Sequence, residues 1–184
     1  MDKYTLPTSV MINDIECEFN SDFRDILMIF KILNDPDLLE PERIYCALQW
    51  FYKTSAYEAS IEEAASYMFE FITMHDDEKN DSSNQAPLYD WEQDFNIIIS
   101  PVNKVIGKDI RGMEYLHWWT FLSAFMEIGE CTFNTFVGIR DKLNHGKKLE
   151  KYEEKILKEN RNKIILKKKV DSTTQALMDE IMGV

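Results

Sequence analysis

Tyr115-Leu116-His117-Trp118-Trp119-Thr120-Phe121-Leu122-Ser123-Ala124-Phe125-Met126 is the stretch on which the fold turns. It holds two of the chain's four tryptophans and contains neither Gly nor Pro. At helical spacing Leu116, Trp119, Leu122 and Phe125/Met126 follow one face, and Tyr115, Trp118 and Phe121 widen it. A helix that is apolar nearly all round belongs inside a core. The spacing therefore predicts a central helix that runs to about Gly129, with Trp118 and Trp119 holding the C-terminal half together. His117, beside two indoles, is the one polar candidate within it.

Outward from this helix the chain reads as mainly α. The predicted fold is a helical domain with a short N-terminal β-hairpin and a long basic C-terminal helix. Gly and Pro are scarce, 6 and 5 in 184 residues, which disfavours an all-β sandwich with its many tight turns. Before the central helix, Asp90-Trp91-Glu92-Gln93-Asp94 opens another. Asp90 is its cap, Gln93 stands where a capping-box partner would, and the acids suit the positive helix end. Trp91, Phe95, Ile98/Ile99 and Val102 form its apolar face. Pro101 should kink or split it, and Gly107 should end it.

Nearer the N-terminus, Val10–Phe19 reads as a hairpin. Ile15, Cys17 and Phe19 alternate with Glu16 and Glu18, and Asn13-Asp14 makes the turn. Ser21 or Asp22 caps a helix with Phe23, Ile26, Leu27, Phe30 and Leu33 on one face. A second helix opens at Glu40-Pro41 and buries Ile44, Ala47/Leu48 and Phe51. Ser60-Ile61-Glu62-Glu63 has the spacing of a capping box and starts a third. The divisions expected are 1–75 (hairpin and helices), 76–88 (an acidic linker), 89–146 (an aromatic helical core) and 147–184 (a basic helix and tail).

Thr132–Arg140 is a short helix with Phe133, Phe136/Val137 and Arg140 in register. Asn144-His145-Gly146 forms a hinge. Lys147–Lys169 reads as one amphipathic helix, and residues 176–182 as a short terminal segment. The apolar face of that basic helix is thin, so it needs a surface to pack on. Leu149, Tyr152, Ile156 and Leu157 are accordingly the expected partner-contact residues, whether the partner is another protein or a second copy.

The net charge of −12 conceals an asymmetry. Residues 1–94 carry 21 acids and 6 bases, whereas residues 95–184 carry 12 acids and 15 bases. The acidic half argues against general nucleic-acid affinity. The basic helix keeps a nucleic-acid-binding regulator as an alternative, but Glu150, Glu154 and Glu159 interleave its lysines as helical ion-pair partners. No run of about 18 apolar residues is present, so no membrane span is expected. The start, Met1-Asp2-Lys3-Tyr4, has no basic region followed by an apolar one, so no secretion signal is expected. Cys17, Cys46 and Cys131 are odd in number and far apart, and read as reduced thiols.

Chemistry finds little to use. His75, His117 and His145 have no metal-ligand spacing. Glu92, Asp94 and His117 could share an acid–base site, but residues two apart on a helix point to different sides. No glycine-rich phosphate loop or nucleophile motif occurs. The expectation is a non-enzymatic binding protein with no cofactor and no metal.

One resemblance goes further. Tyr89-Asp90-Trp91-Glu92-Gln93-Asp94, then Val105-Ile106-Gly107-Lys108-Asp109-Ile110, then Glu114-Tyr115-Leu116-His117-Trp118-Trp119-Thr120-Phe121-Leu122 resembles the bacteriophage Gp-fifteen family. The start is similar too, in Leu6-Pro7-Thr8-Ser9-Val10 and Asn20-Ser21-Asp22-Phe23-Arg24. Trp91, Leu116, His117, Trp118 and Trp119 carry the signature and are expected in the core. The resemblance implies a tail assembly chaperone of long-tailed phages or prophages, acting in the bacterial host cytoplasm and absent from the mature virion. Its implied partners are the tape measure protein, which it would keep soluble, and the tail tube protein. The alternative within the same context is a structural minor tail protein.

Overall fold

The computed structural model describes residues 4–74 and 86–167. The linker read over 76–88 lies outside these except for 86–88. His75, Lys168, Lys169 and the segment 176–182 lie outside them altogether. The described chain is mainly α, with seven α-helices and one two-stranded antiparallel hairpin. Its residues fall into two compact units. One comprises 4–74 and His117–Trp119; the other comprises 86–116 and 120–167.

In the first unit β1 (Ser9–Ile12) pairs with β2 (Ile15–Glu18), Ile12 opposite Ile15 and Val10 opposite Cys17. Asn13 and Asp14 both take positive φ, 47° and 62°. That is the two-residue turn whose twist matches a hairpin, and Asn and Asp tolerate it better than most residues. A hairpin alone is marginal. This one is supported because Ile12, Cys17 and Phe19 are buried. Phe19 stacks on Phe51 at 4.7 Å and meets the Phe71 ring edge-on at 4.8 Å. Ile15, predicted to share that apolar face, is instead exposed beside the turn.

Three helices complete this core: α1 (Phe23–Leu33), α2 (Glu40–Phe51) and α3 (Ile61–Ile72). Asp22 caps α1 by accepting from Arg24 N at 2.9 Å. Glu42 reaches back to Leu39 N at 2.8 Å and steadies the start of α2. The capping box expected at Ser60 does not form, because the 3-10 turn Ser55–Ser60 runs straight into α3 and no free helix end remains. Glu63 accepts instead from Asn13 N in the hairpin turn, at 3.1 Å.

The second unit contains α4 (Trp91–Ile106), most of α5 (Trp118–Met126), α6 (Thr132–Asn144) and α7 (Lys151–Ile164). Pro101 does not split α4. Proline removes one backbone donor, but Ile98, Ile99 and Val102 around it are buried and hold the helix together. Gly107 ends α4 in the left-handed conformation at φ 84°, its N–H bonded to Asn103 O at 2.8 Å. The core includes Ile98, Val102, Phe121, Phe133, Phe136, Ile139 and Ile164.

Several boundaries differ from the sequence reading. α6 runs on to Asn144, not Arg140, so the hinge expected at Asn144-His145-Gly146 begins one residue later. α5 begins at Trp118, not Tyr115, and its buried face is Trp118, Phe121 and Ala124, one position away from the predicted stripe. Met126 is 63% exposed. The basic helix spans Lys151–Ile164 instead of Lys147–Lys169, and Asn160 breaks its regularity at φ −124°.

Candidate functional site

The family-signature residues and the basic helix are the two places where the sequence concentrates chemistry. In each, polar side chains close the C-terminus of a helix contributed by a distant stretch of chain. The last carbonyls of an α-helix have no partner within it and need outside donors.

In the first unit the helix is α3. Trp118 Nε1 donates to Ile72 O at 2.9 Å, and Trp119 Nε1 donates to Phe71 O at 2.8 Å. The two indoles thus take two carbonyls of the last turn. Trp119 also stacks on the Phe71 ring, with centroids 5.5 Å apart. Trp118 N donates to Ser21 O at 2.7 Å, where the chain enters α1. His117 is buried, its ring 5.6 Å from that of Phe71. One ring nitrogen, Nδ1, accepts from Trp119 N at 3.1 Å; the other, Nε2, lies 2.9 Å from Pro7 O. His117 therefore starts α5 and ties residue 7 to it. These contacts correct the expectation that Trp118 and Trp119 hold the C-terminal half together, because their indole hydrogen bonds are made within the first unit. Leu116, just ahead of the tripeptide, is also buried.

In the second unit the helix is α7. Arg140, on α6, donates through Nε to Ile164 O and through Nη2 to Lys163 O at 2.7 Å. Gln93, on α4, donates to Lys163 O and Ile165 O and accepts from Lys167 N at 3.0 Å. It does not complete the capping box predicted for it. Asp94 does that, accepting from Asp90 N at 3.0 Å while Asp90 accepts from Glu92 N and Gln93 N. Asp94 also binds Arg140 at two points, and Arg140 Nη1 reaches Leu88 O at 3.0 Å.

Leu149, Ile156 and Leu157, chosen as partner contacts because their helix lacked a home, are half-buried against Phe136, Ile139 and Ile164 of their own unit. Of the four residues, only Tyr152 is exposed, at 62%. Lys142 binds both oxygens of Glu153 at 2.7 Å and holds that carboxyl below its usual range. Trp91 is half-buried, with the Phe125 ring at 4.8 Å and the Tyr89 ring at 5.3 Å.

Of the residues weighed as an acid–base site, Asp94 is bound by Arg140 and His117 by backbone groups. Among the described residues no cluster of His, Cys, Asp or Glu is suited to a metal ion. No helix there is long and apolar enough to cross a membrane. Sequence reasoning missed the Asp94–Arg140 pair. A signal existed: Asp94 lies on the Trp91–Ile98 stripe, and Arg140 lies on the stripe of Phe133 and Phe136. One charge of each sign on an apolar face anticipates a buried pair.

The sequence matches the family described as Bacteriophage Gp15 protein over residues 3–166, most of its length. The chain belongs to that family. The match takes in both helix-closing clusters, from Pro7 to Ile165, with Lys167 just beyond it. No curated protein matches the chain, and no solved structure does. Members of the Gp15 family are phage structural or assembly proteins, and the family is not known for catalysis.

Proposed function

We propose that this Gp15 family member is a tail assembly chaperone that binds the tape measure protein, keeps it soluble, and helps tail tube subunits assemble around it. The observation that carries this reading is the family match over residues 3–166. A tape measure protein is a long, largely helical chain with exposed apolar stripes, an aggregation hazard until covered. A mainly helical binder masks such stripes by laying helix against helix, and many copies on one rod gain avidity. On α7, the outward side with Tyr152 is open to such a partner. Leu149, Ile156 and Leu157 would reach it only if the helix shifted on its own unit.

The test is co-expression with the tape measure protein from the same phage or prophage. The expected result is a higher soluble fraction of the tape measure and co-purification of the two. Failure of both sinks the proposal. Mass spectrometry of purified particles then separates a chaperone, absent or in trace, from a minor tail protein, present in stoichiometric copies.

A further inference from the structure

His117 has one protonation state that fits its surroundings. Trp119 N–H can only donate, so Nδ1 must accept from it at 3.1 Å. Pro7 O can only accept, so Nε2 must carry the proton at 2.9 Å. The ring is therefore neutral, with its proton on Nε2. A second proton would go to Nδ1 and set two N–H groups against each other.

We propose that His117 is an acid-operated joint: protonation of Nδ1 breaks its bond to Trp119 N–H and loosens the Trp118–Trp119 closure of α3. Among the described residues, the charged groups on the elements next to His117 are engaged with partners of their own. At the entry to α1, which pairs with His117 through Asp22, the charged groups are Asp22 and Arg24, and these are bound to each other at 3.0 Å. On α3, Phe71 presents a ring, and the neighbouring Glu70 accepts from Ser66 at 3.2 Å. From the N-terminal segment the Pro7 carbonyl faces the ring. Burial pushes the imidazole below its ordinary value of 6.5, in keeping with this geometry.

The sign follows from linkage. The opened form binds a proton more readily than the closed form, so closure is complete above the ordinary imidazole value. It weakens as the pH falls below that value, by up to about tenfold per pH unit until the closed form itself protonates.

The experiment is hydrogen exchange on the full chain at pH 7 and pH 5.5, corrected for intrinsic rates, with His117→Gln as the comparison. Glutamine offers one acceptor and one donor and does not titrate. Exchange at the Trp118–Trp119 amides should rise by about fivefold or more in the wild type on acidification and stay flat in H117Q. Parallel behaviour of the two proteins overturns the proposal. If H117Q does not fold, the nitrogen NMR spectrum of His117 in the wild type decides the matter. A proton on Nε2 at pH 7, moving to both nitrogens as the amides open, supports the joint; a proton on Nδ1 at pH 7 overturns it.

Discussion

Arg140 and Asp94 form a two-point ion pair, at 2.7 and 2.9 Å, with side chains only 4% and 1% exposed. Both charges are spent on further structure. Asp94 receives the N–H of Asp90, and Arg140 holds the carbonyls of Leu88, Lys163 and Ile164. Removing one partner strands the other charge in the core. Asp94→Ala or Arg140→Ala should each lower unfolding stability by about 3–5 kcal/mol. The paired replacement Asp94→Leu with Arg140→Met should cost less than the sum of the single changes. Urea unfolding of the three variants checks this; additive losses would show that the pair is not coupled.

The indole N–H groups of Trp118 and Trp119 can be removed without removing the rings' apolar character. Trp118→Phe leaves Ile72 O without its donor in a buried place and opens a small cavity. A loss of about 2–4 kcal/mol is expected. Trp119→Phe acts at a half-buried ring and should cost about half as much. Thermal unfolding, followed by circular dichroism, measures both. A smaller loss for Trp118 than for Trp119 would contradict the burial order.

The pair formed by Lys142 and Glu153 is pH-sensitive on the acid side. Lys142 and the Glu150 N–H hold the Glu153 carboxyl below its ordinary value of 4.5. A carboxyl depressed in the folded state contributes stability above its unfolded value and loses that contribution as the pH falls through the folded value. The wild type should therefore lose stability below about pH 4.5 more steeply than Glu153→Gln. Denaturant midpoints measured from pH 6 to pH 3 compare the two slopes.

Asp14 sits at φ 62° in the hairpin turn, directly after Asn13 at φ 47°. Asn-Gly is the favoured pair for this turn, since glycine takes positive φ without strain. Asp14→Gly should raise stability by about 0.5 kcal/mol, read as a small increase in Tm. Asn13→Val should lower it, because a β-branched residue is strained there.

Apolar periodicity and local turn chemistry were enough to locate most elements. The alternation through Cys17 and Phe19, the tolerant Asn13-Asp14 turn, the Asp22 and Asp90 caps and the Gly107 stop are all short-range features. So are the stripes of α2 and α4, and the order of signature residues that placed the chain near its family. Local reading failed where one residue had two possible roles. Asp94 was explained by its place at a helix start, Gln93 by a capping-box spacing, and Trp118 and Trp119 by their bulk. Their side-chain hydrogen bonds missed from the sequence reach partners 46 to 74 positions away along the chain.

By itself, then, the sequence of this Gp15 family member determined that the Leu-His-Trp-Trp stretch is apolar and lies at the head of a helix. Only the tertiary structure decided that the helix starts at Trp118, that His117 bridges Pro7 and Trp119, and that two indole N–H groups close α3. Only there, too, do Arg140 and Gln93 close α7, and do Leu149, Ile156 and Leu157, first assigned to a partner, pack against Phe136, Ile139 and Ile164. The physical reason is that helix formation and burial follow from neighbours three and four residues apart. An unpaired carbonyl at a helix end is satisfied by whichever donor the fold brings to it, and no local pattern encodes that choice.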